Sequence, residues 1–114
     1  PVLVSDGAGG AIAAWEDTRS SSFDIYAQRI TGSGTVALGW TTDGVALCTA
    51  AGDQDTETIA SDGAGGAIVT WHDGRSGIFV DVFAQRVTST GRSLQVGPPT
   101  AVRSARRQTP RTSR

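Results

Sequence analysis

The sequence contains few of the residues that build metal centres and disulfide-linked folds. Its 114 residues include one Cys, one His and no Met. One cysteine cannot form an internal disulfide or a cysteine-rich zinc site, and one histidine cannot form a histidine cluster. No apolar run approaches the roughly 18 residues of a membrane span. We therefore expect no metal, no cofactor and no membrane insertion, and a chain that starts at Pro1 is expected to be a piece of a longer protein.

Charge is divided unevenly along the chain. Residues 1–100 contain all 11 acidic residues and five arginines, whereas residues 101–114 contain five arginines and no acid. A basic arm of this kind is a cue for nucleic-acid binding. This arm has no interleaved aromatic residues for base stacking, and the acidic body would repel phosphates. We therefore predict that the chain does not bind nucleic acid.

An internal repeat organises the sequence. Residues 5–12 (SDGAGGAI) recur unchanged 56 residues later, at 61–68. One extra residue then enters near Val80, and the later motifs return at a spacing of 57. Across residues 5–34, 19 of 30 positions are identical. This level of identity implies a tandem duplication.

Each repeat is predicted to form four antiparallel strands. Its apolar stretches are short and bounded by turns, and no 3.6-residue period persists over a helical length. The segment 6–10 predicts a hairpin, because glycine adopts positive φ without steric cost. The acidic segment 53–57 is interpreted as a loop between the repeats. The strands are expected at residues 2–5, 11–16, 24–31 and 45–49, and again at 58–61, 67–72 and 81–88.

The second strand of each repeat is apolar on both faces. In the first repeat Trp15 shares one face with Ala11 and Ala13, and Ile12 shares the other with Ala14. A sheet of this kind needs cover on both sides. The fold class predicted is all-β, with two tandem four-stranded antiparallel β-propeller-type blades and a Trp filling the gap between neighbours. The alternative is an eight-stranded β-sandwich made from both repeats.

A family resemblance rests on three strings in the first repeat. DGAGGAI, then Trp-x-Asp-x-Arg, then DIYAQRI resemble repeats of secreted or cell-surface bacterial β-propeller proteins, and residues 39–54 are similar to the same pattern. The likeness covers residues 1–91. It implies an extracellular or cell-surface location and a longer parent chain, since a closed ring typically takes four to eight blades.

After Gly91 the second repeat stops matching the first. In a shifted reading frame, each codon would consist of the third base of one residue's codon and the first two bases of the next. Over residues 96–108, such codons could encode 12 of the 13 residues found at 39–51. We infer a frameshift between Gly91 and Val96, whether a real mutation or a sequencing error, and expect no good fourth strand beyond it. The repeats are assigned to 1–56 and 57–100, and residues 101–114 to an Arg-rich tail that is disordered or frameshifted.

Polar residues that recur in both repeats are interpreted as structural. A catalytic site is made once, whereas a stabilising hydrogen-bond network is made in every repeat. The loop at Asp6 offers one carboxylate, which is few for a calcium ion. The same reasoning covers the repeated sets Asp17/Arg19 and Asp73/Arg75, Asp24/Asp81, and Arg29/Arg86.

Two further candidate residues, His72 and Cys48, each occur in only one of the repeats. His72 replaces Glu16 of the first repeat and is expected to be a solvated side chain at a strand end. Cys48 lies on a short strand of small and apolar residues, which favours a buried, inert thiol over a nucleophile. No nucleophile elbow accompanies the single histidine.

These observations predict a non-catalytic structural or binding scaffold, with no catalytic or metal residue and no assigned ligand-binding residue. Its expected partners are further blades of the parent chain or a second copy of itself, and its loops would meet glycans or proteins. The alternative is a fragment of a propeller-type polysaccharide hydrolase, which a non-repeated cluster of acids would indicate.

Overall fold

The computed structural model describes residues 1–94 and the backbone of residues 102–106. Every regular element within these residues is a β-strand, which confirms the all-β class. No helix in this part of the chain is long and apolar enough to cross a membrane. The strands are β1 (Val2–Ser5), β2 (Ala11–Asp17), β3 (Asp24–Ile30), β4 (Val45–Cys48), β5 (Gln54–Ser61), β6 (Ala67–Asp73), β7 (Asp81–Val87), β8 (Ser93–Leu94) and β9 (Val102–Arg106).

The first repeat forms a four-stranded antiparallel sheet in the order β1-β2-β3-β4. Ala14 of β2 lies opposite Val2 on one side and Ala27 on the other. A bulge between Ile25 and Tyr26 marks the point where β4 joins β3. In the first repeat the predicted strands agree with the observed ones to within one residue, because turn residues bound each apolar stretch.

The second repeat has the same topology. β5, β6 and β7 follow one another, and β8 and β9 share the far edge of β7. Each pair between β3 and β4 recurs between β7 and β9 at a spacing of 57, including the bulge, now between Val82 and Phe83. β9 thus holds the position of the fourth strand, where no good strand was expected, because main-chain hydrogen bonds along an edge need no particular side chain.

The assignment of 101–114 to a disordered or frameshifted tail stays a prediction. Residues 95–101 and 107–114 lie outside the described residues, and a strand at β9 does not report on the reading frame. The coding DNA is the test of that prediction.

The interpretation of 53–57 as a loop is wrong for Gln54 onward, where β5 begins. The Gln54 side chain is buried, and its backbone N–H donates to the carbonyl of Phe23, the residue before β3 in the first repeat, at 2.9 Å. β5 also pairs with the end of β6, with a bulge before Thr58 and a positive φ of 55° at Thr56. Main-chain pairing on two sides therefore outweighs the low strand preference of acidic residues.

The two sheets share one apolar core. Trp71 of β6 is the largest completely buried side chain of this core. The first sheet contributes small residues to this core, Ala14 from β2 and Ala27 from β3. The core draws on both sheets and comprises Ile12, Ala14, Ile25, Ala27, Ala37, Trp40, Leu47, Cys48, Ala67, Val69, Trp71, Phe83 and Val87.

Candidate functional site

The two repeats bury opposite faces where they meet. We call the side of Ala11, Ala13 and Trp15, and of their counterparts in β6, the Trp face; the side of Ile12 and Ala14, and of their counterparts, is the Ile face. Ile12 is completely buried, while its counterpart Ile68 is 40% exposed. Trp71 is completely buried, while its counterpart Trp15 is only half-buried. The Ile face of the first sheet therefore lies on the Trp face of the second.

Each Trp face carries the same hydrogen-bond network. In the first repeat the indole N–H of Trp15 donates to Asp17 Oδ2 at 2.8 Å, and Arg19 Nη2 pairs with the same oxygen at 2.8 Å. In the second repeat the corresponding distances are 3.0 Å from Trp71 and 2.7 Å from Arg75, both to Asp73. The recurrence of this network is what the sequence predicted for these residues.

An aromatic ring completes each network. The guanidinium carbon of Arg19 lies 3.8 Å from the ring centroid of Tyr26, and that of Arg75 lies 4.0 Å from the ring centroid of Phe83. The arginine thus links a carboxylate to a π face, which adds a cation–π attraction to the ion pair.

The network holds its two aspartates in the ionised form. The hydrogen bond from Arg19 lowers the pKa of Asp17 far below its ordinary value. Burial opposes the ionisation of Asp73, but hydrogen bonds from Arg75 and Trp71 outweigh it, and the pKa of Asp73 is lowered as well. A carboxylate held ionised by fixed donors is suited to a structural role rather than to proton transfer near neutral pH.

The repeated Asp-Gly loops are hairpin turns, as predicted. Asp6 Oδ1 accepts hydrogen bonds from the backbone N–H groups of Ala8 and Gly10, both at 2.8 Å. Its Oδ2 accepts from Arg29 Nε at 3.0 Å. Gly7 and Gly9 adopt φ of 76° and 89°, the left-handed region that the loop sequence predicted.

The second loop repeats this arrangement. Asp62 binds the N–H groups of Ala64 and Gly66 and pairs with Arg86 at 3.0 Å. The main-chain donors that hold Asp6 lower its pKa, and for Asp62 such donors overcome the opposing effect of burial. Both oxygens of each carboxylate thus accept hydrogen bonds from the protein itself, which is the bonding pattern of a structural turn.

Asp24 and Asp81, another pair that recurs between the repeats, begin β3 and β7. Both are buried, and they lie directly across the strands from Asp17 and Asp73. Ser20 Oγ lies 2.6 Å from Asp24 Oδ2. These aspartates therefore adjoin the repeated networks, in agreement with one structural device per repeat.

Arg29 links the two sheets directly. Besides its pair with Asp6, its Nη1 donates to the carbonyl of Ser89 in the second repeat at 2.7 Å. The indole of Trp40 donates to the same carbonyl at 2.9 Å. Two donors from the first repeat thus fix the position of a loop in the second.

Cys48 lies where the first repeat covers the network of the second. Its thiol is buried, as predicted, and Sγ lies 3.1 Å from Arg75 Nη2 and 3.9 Å from Asp73 Oδ2. Sequence reasoning missed this contact, because Cys48 and Arg75 are 27 residues apart and no periodic signal connects them. His72 is partly buried on the Ile face of the second sheet, opposite Val82.

One pair of acids does not recur between the repeats. Burial raises the pKa of Glu57, and the neighbouring Glu16 carboxyl raises it further. Within residues 1–94, moreover, no group of three or more His, Cys, Asp or Glu side chains is placed to hold a metal ion.

No protein-family model matches this chain, and no curated protein and no solved structure matches it either. The likeness to bacterial β-propeller repeats and the extracellular location that it implies therefore stay predictions. The site itself consists of two sheet faces with recurring networks.

Proposed function

We propose that this chain is a non-catalytic scaffold of two β-propeller-type blades that works by stacking sheet upon sheet. The observation that carries the proposal is the burial of opposite faces by equivalent strands. A sandwich of two equivalent sheets related by a two-fold axis would bury the same face of each. Front-to-back packing instead leaves one Trp face and one Ile face uncovered, as in an array of repeats.

The recurrence of the polar networks supports a scaffold over an enzyme. Both Trp–Asp–Arg networks and both Asp–Arg turns are made from equivalent residues with nearly equal distances. These networks stabilise each blade, so the connecting loops are free to vary in sequence. Partners such as glycans or proteins would therefore bind to the loops. The extracellular or cell-surface location is part of this proposal and rests on the family resemblance alone.

A tandem extension tests the proposal. A copy of residues 1–56 is fused ahead of Pro1, so that the Ile face of the added unit can lie on the Trp face of the first sheet. We expect the midpoint of urea unfolding, followed by far-UV circular dichroism, to rise, because each added interface stabilises its neighbours.

The matched control carries Ile12→Glu in the added copy alone. This charge would have to be buried in the new interface, so the control is expected to lose the gain. If the two extended chains unfold at the same midpoint as the original chain, the stacking proposal is wrong.

A further inference from the structure

We propose that two copies of this chain associate head to tail, the Trp face of the first repeat in one copy receiving the Ile face of the second repeat in the other. This inference rests on the proposed stacking function and names its partner. The contact inside the chain is the template, because it is formed by the same two kinds of face.

The Trp face of the first sheet is equivalent to the Trp face of the second sheet, which is covered within the chain. Leu3 lies opposite Ala13 on this face and is 68% exposed. Its counterpart Ile59 packs against the shared core beside Val69. What covers Ile59 and Val69 is an Ile face, so an Ile face is the cover that Leu3 and Ala13 lack.

The Ile face of the second sheet has the features of that missing cover. Ile68 lies opposite Ala60 on β5 and Arg86 on β7. The hydroxyls of Thr58 and Thr70 are 2.6 Å apart and bond to each other, so both can be covered without losing their partner. This face is nevertheless more polar than its counterpart in the first repeat. We therefore expect the contact between chains to be weaker than the contact within one chain.

Arg86 provides the polar anchor of the contact. It pairs with Asp62 as Arg29 pairs with Asp6. The side chain of Arg86 is 45% exposed, however, whereas that of Arg29 is 17% exposed. The difference arises because Arg29 also reaches the carbonyl of Ser89 across the interface. In the head-to-tail contact Arg86 would reach the equivalent carbonyl, that of Gly32, in the second copy.

The contact is heterologous, since it joins two different surfaces. A symmetric dimer, by contrast, would join one surface to itself. This difference allows a mixing experiment to identify the contact, because each copy needs only one intact face to form one contact.

The experiment uses Leu3→Glu, which blocks the Trp face, and Ile68→Glu, which blocks the Ile face. Sedimentation velocity over a concentration series is expected to show that the unmodified chain self-associates. Each variant alone is expected to be monomeric. An equimolar mixture is expected to form a one-to-one dimer, because the intact Ile face of one variant meets the intact Trp face of the other. Ala13→Glu serves as a second block of the Trp face, and circular dichroism verifies the fold of each variant.

Two further variants sharpen the test. Arg86→Ala is expected to weaken association about tenfold, the effect of losing one charge-assisted hydrogen bond. Leu38→Glu is the matched control, since Leu38 is 96% exposed in the connection between β3 and β4, and it is expected to leave association unchanged.

Three results would overturn the inference: an original chain that stays monomeric at every concentration, association blocked by only one of the two face variants, or no dimer in the mixture. Each is distinguishable from a failure of the proposed function. If the tandem extension raises the unfolding midpoint while the original chain stays monomeric, stacking stands and only the head-to-tail association fails.

Discussion

Trp15 and Trp71 occupy the same position in two nearly identical repeats, yet only Trp71 is completely buried. Each indole donates to the aspartate two residues later, so the local bonding is the same. The difference is the sheet that lies above: the first repeat covers Trp71, and within the described residues no sheet covers Trp15. The comparison separates what a strand does for itself from what its neighbour adds.

The largest expected difference between the repeats is at these two tryptophans. Trp71→Ala should reduce the free energy of unfolding by about 4 kcal/mol, because it removes a completely buried aromatic side chain and leaves a cavity. Trp15→Ala should cost less than half as much, since the indole already contacts water. Urea unfolding of both variants at low protein concentration measures the two losses. Equal losses would mean that the two Trp faces are equally covered.

The aspartates of the two networks should differ in the same direction. Asp73→Ala should cost about 3 kcal/mol, because it leaves a buried indole N–H and the Arg75 guanidinium without their acceptor. Asp17→Ala should cost less, because Arg19 is more exposed to water than Arg75. Chemical denaturation at pH 7 gives both values, with Asp73→Asn as the control that keeps an acceptor for the indole. A larger loss for Asp17→Ala would contradict the comparison.

A single methyl group should distinguish the two Ile faces. Ile12→Val should cost about 1 kcal/mol, because Ile12 lies in the shared core. Ile68→Val should cost almost nothing in the monomer, because its side chain is on the uncovered face. Thermal and urea unfolding of dilute samples measure both, and a comparable cost at the two positions would show that the second face is covered as well.

An effect no larger than that of Ile12→Val is expected at Glu57, whose counterpart in the first repeat is Pro1. Its pKa is raised, so the folded state binds this proton more tightly than the unfolded state, and stability is lost as the pH rises above 4.5. Glu57→Gln should therefore stabilise the protein by about 1 kcal/mol at pH 7, since it removes a buried charge. The gain should vanish below pH 4.5, as unfolding curves across a pH series would reveal.

The exposed terminal ammonium of Pro1, 3.8 Å from Glu57, offsets little of this cost. Asp73 acts in the opposite direction, since its lowered pKa makes stability fall as the pH drops below 3.8. A Glu57→Gln gain that persists at low pH would show that the effect is not one of protonation.

Most strand positions could be predicted, because glycine-rich turns and short alternating apolar stretches act locally. The Asp-Gly loops and the Trp-x-Asp-x-Arg strings could also be interpreted from the sequence. Each recurs in both repeats, and each contains residues that bond to one another within a few positions along the chain. The start of β5 at Gln54 could not be predicted, because its pairing partners, Phe23 and the end of β6, lie far away in the chain. The contact of Cys48 with Arg75 was missed for the same reason.

The amino-acid sequence by itself determined the repeat, the strands, the hairpins and the aspartate-centred networks, since each depends on residues that are close along the chain or equivalent between repeats. Only the tertiary structure decided which face of each sheet is covered. Both faces of each sheet are apolar enough to be buried, so the sequence permits either packing. The observed packing is held by contacts between residues far apart in the chain, since Arg29 and Trp40 of the first repeat both donate to the carbonyl of Ser89 in the second.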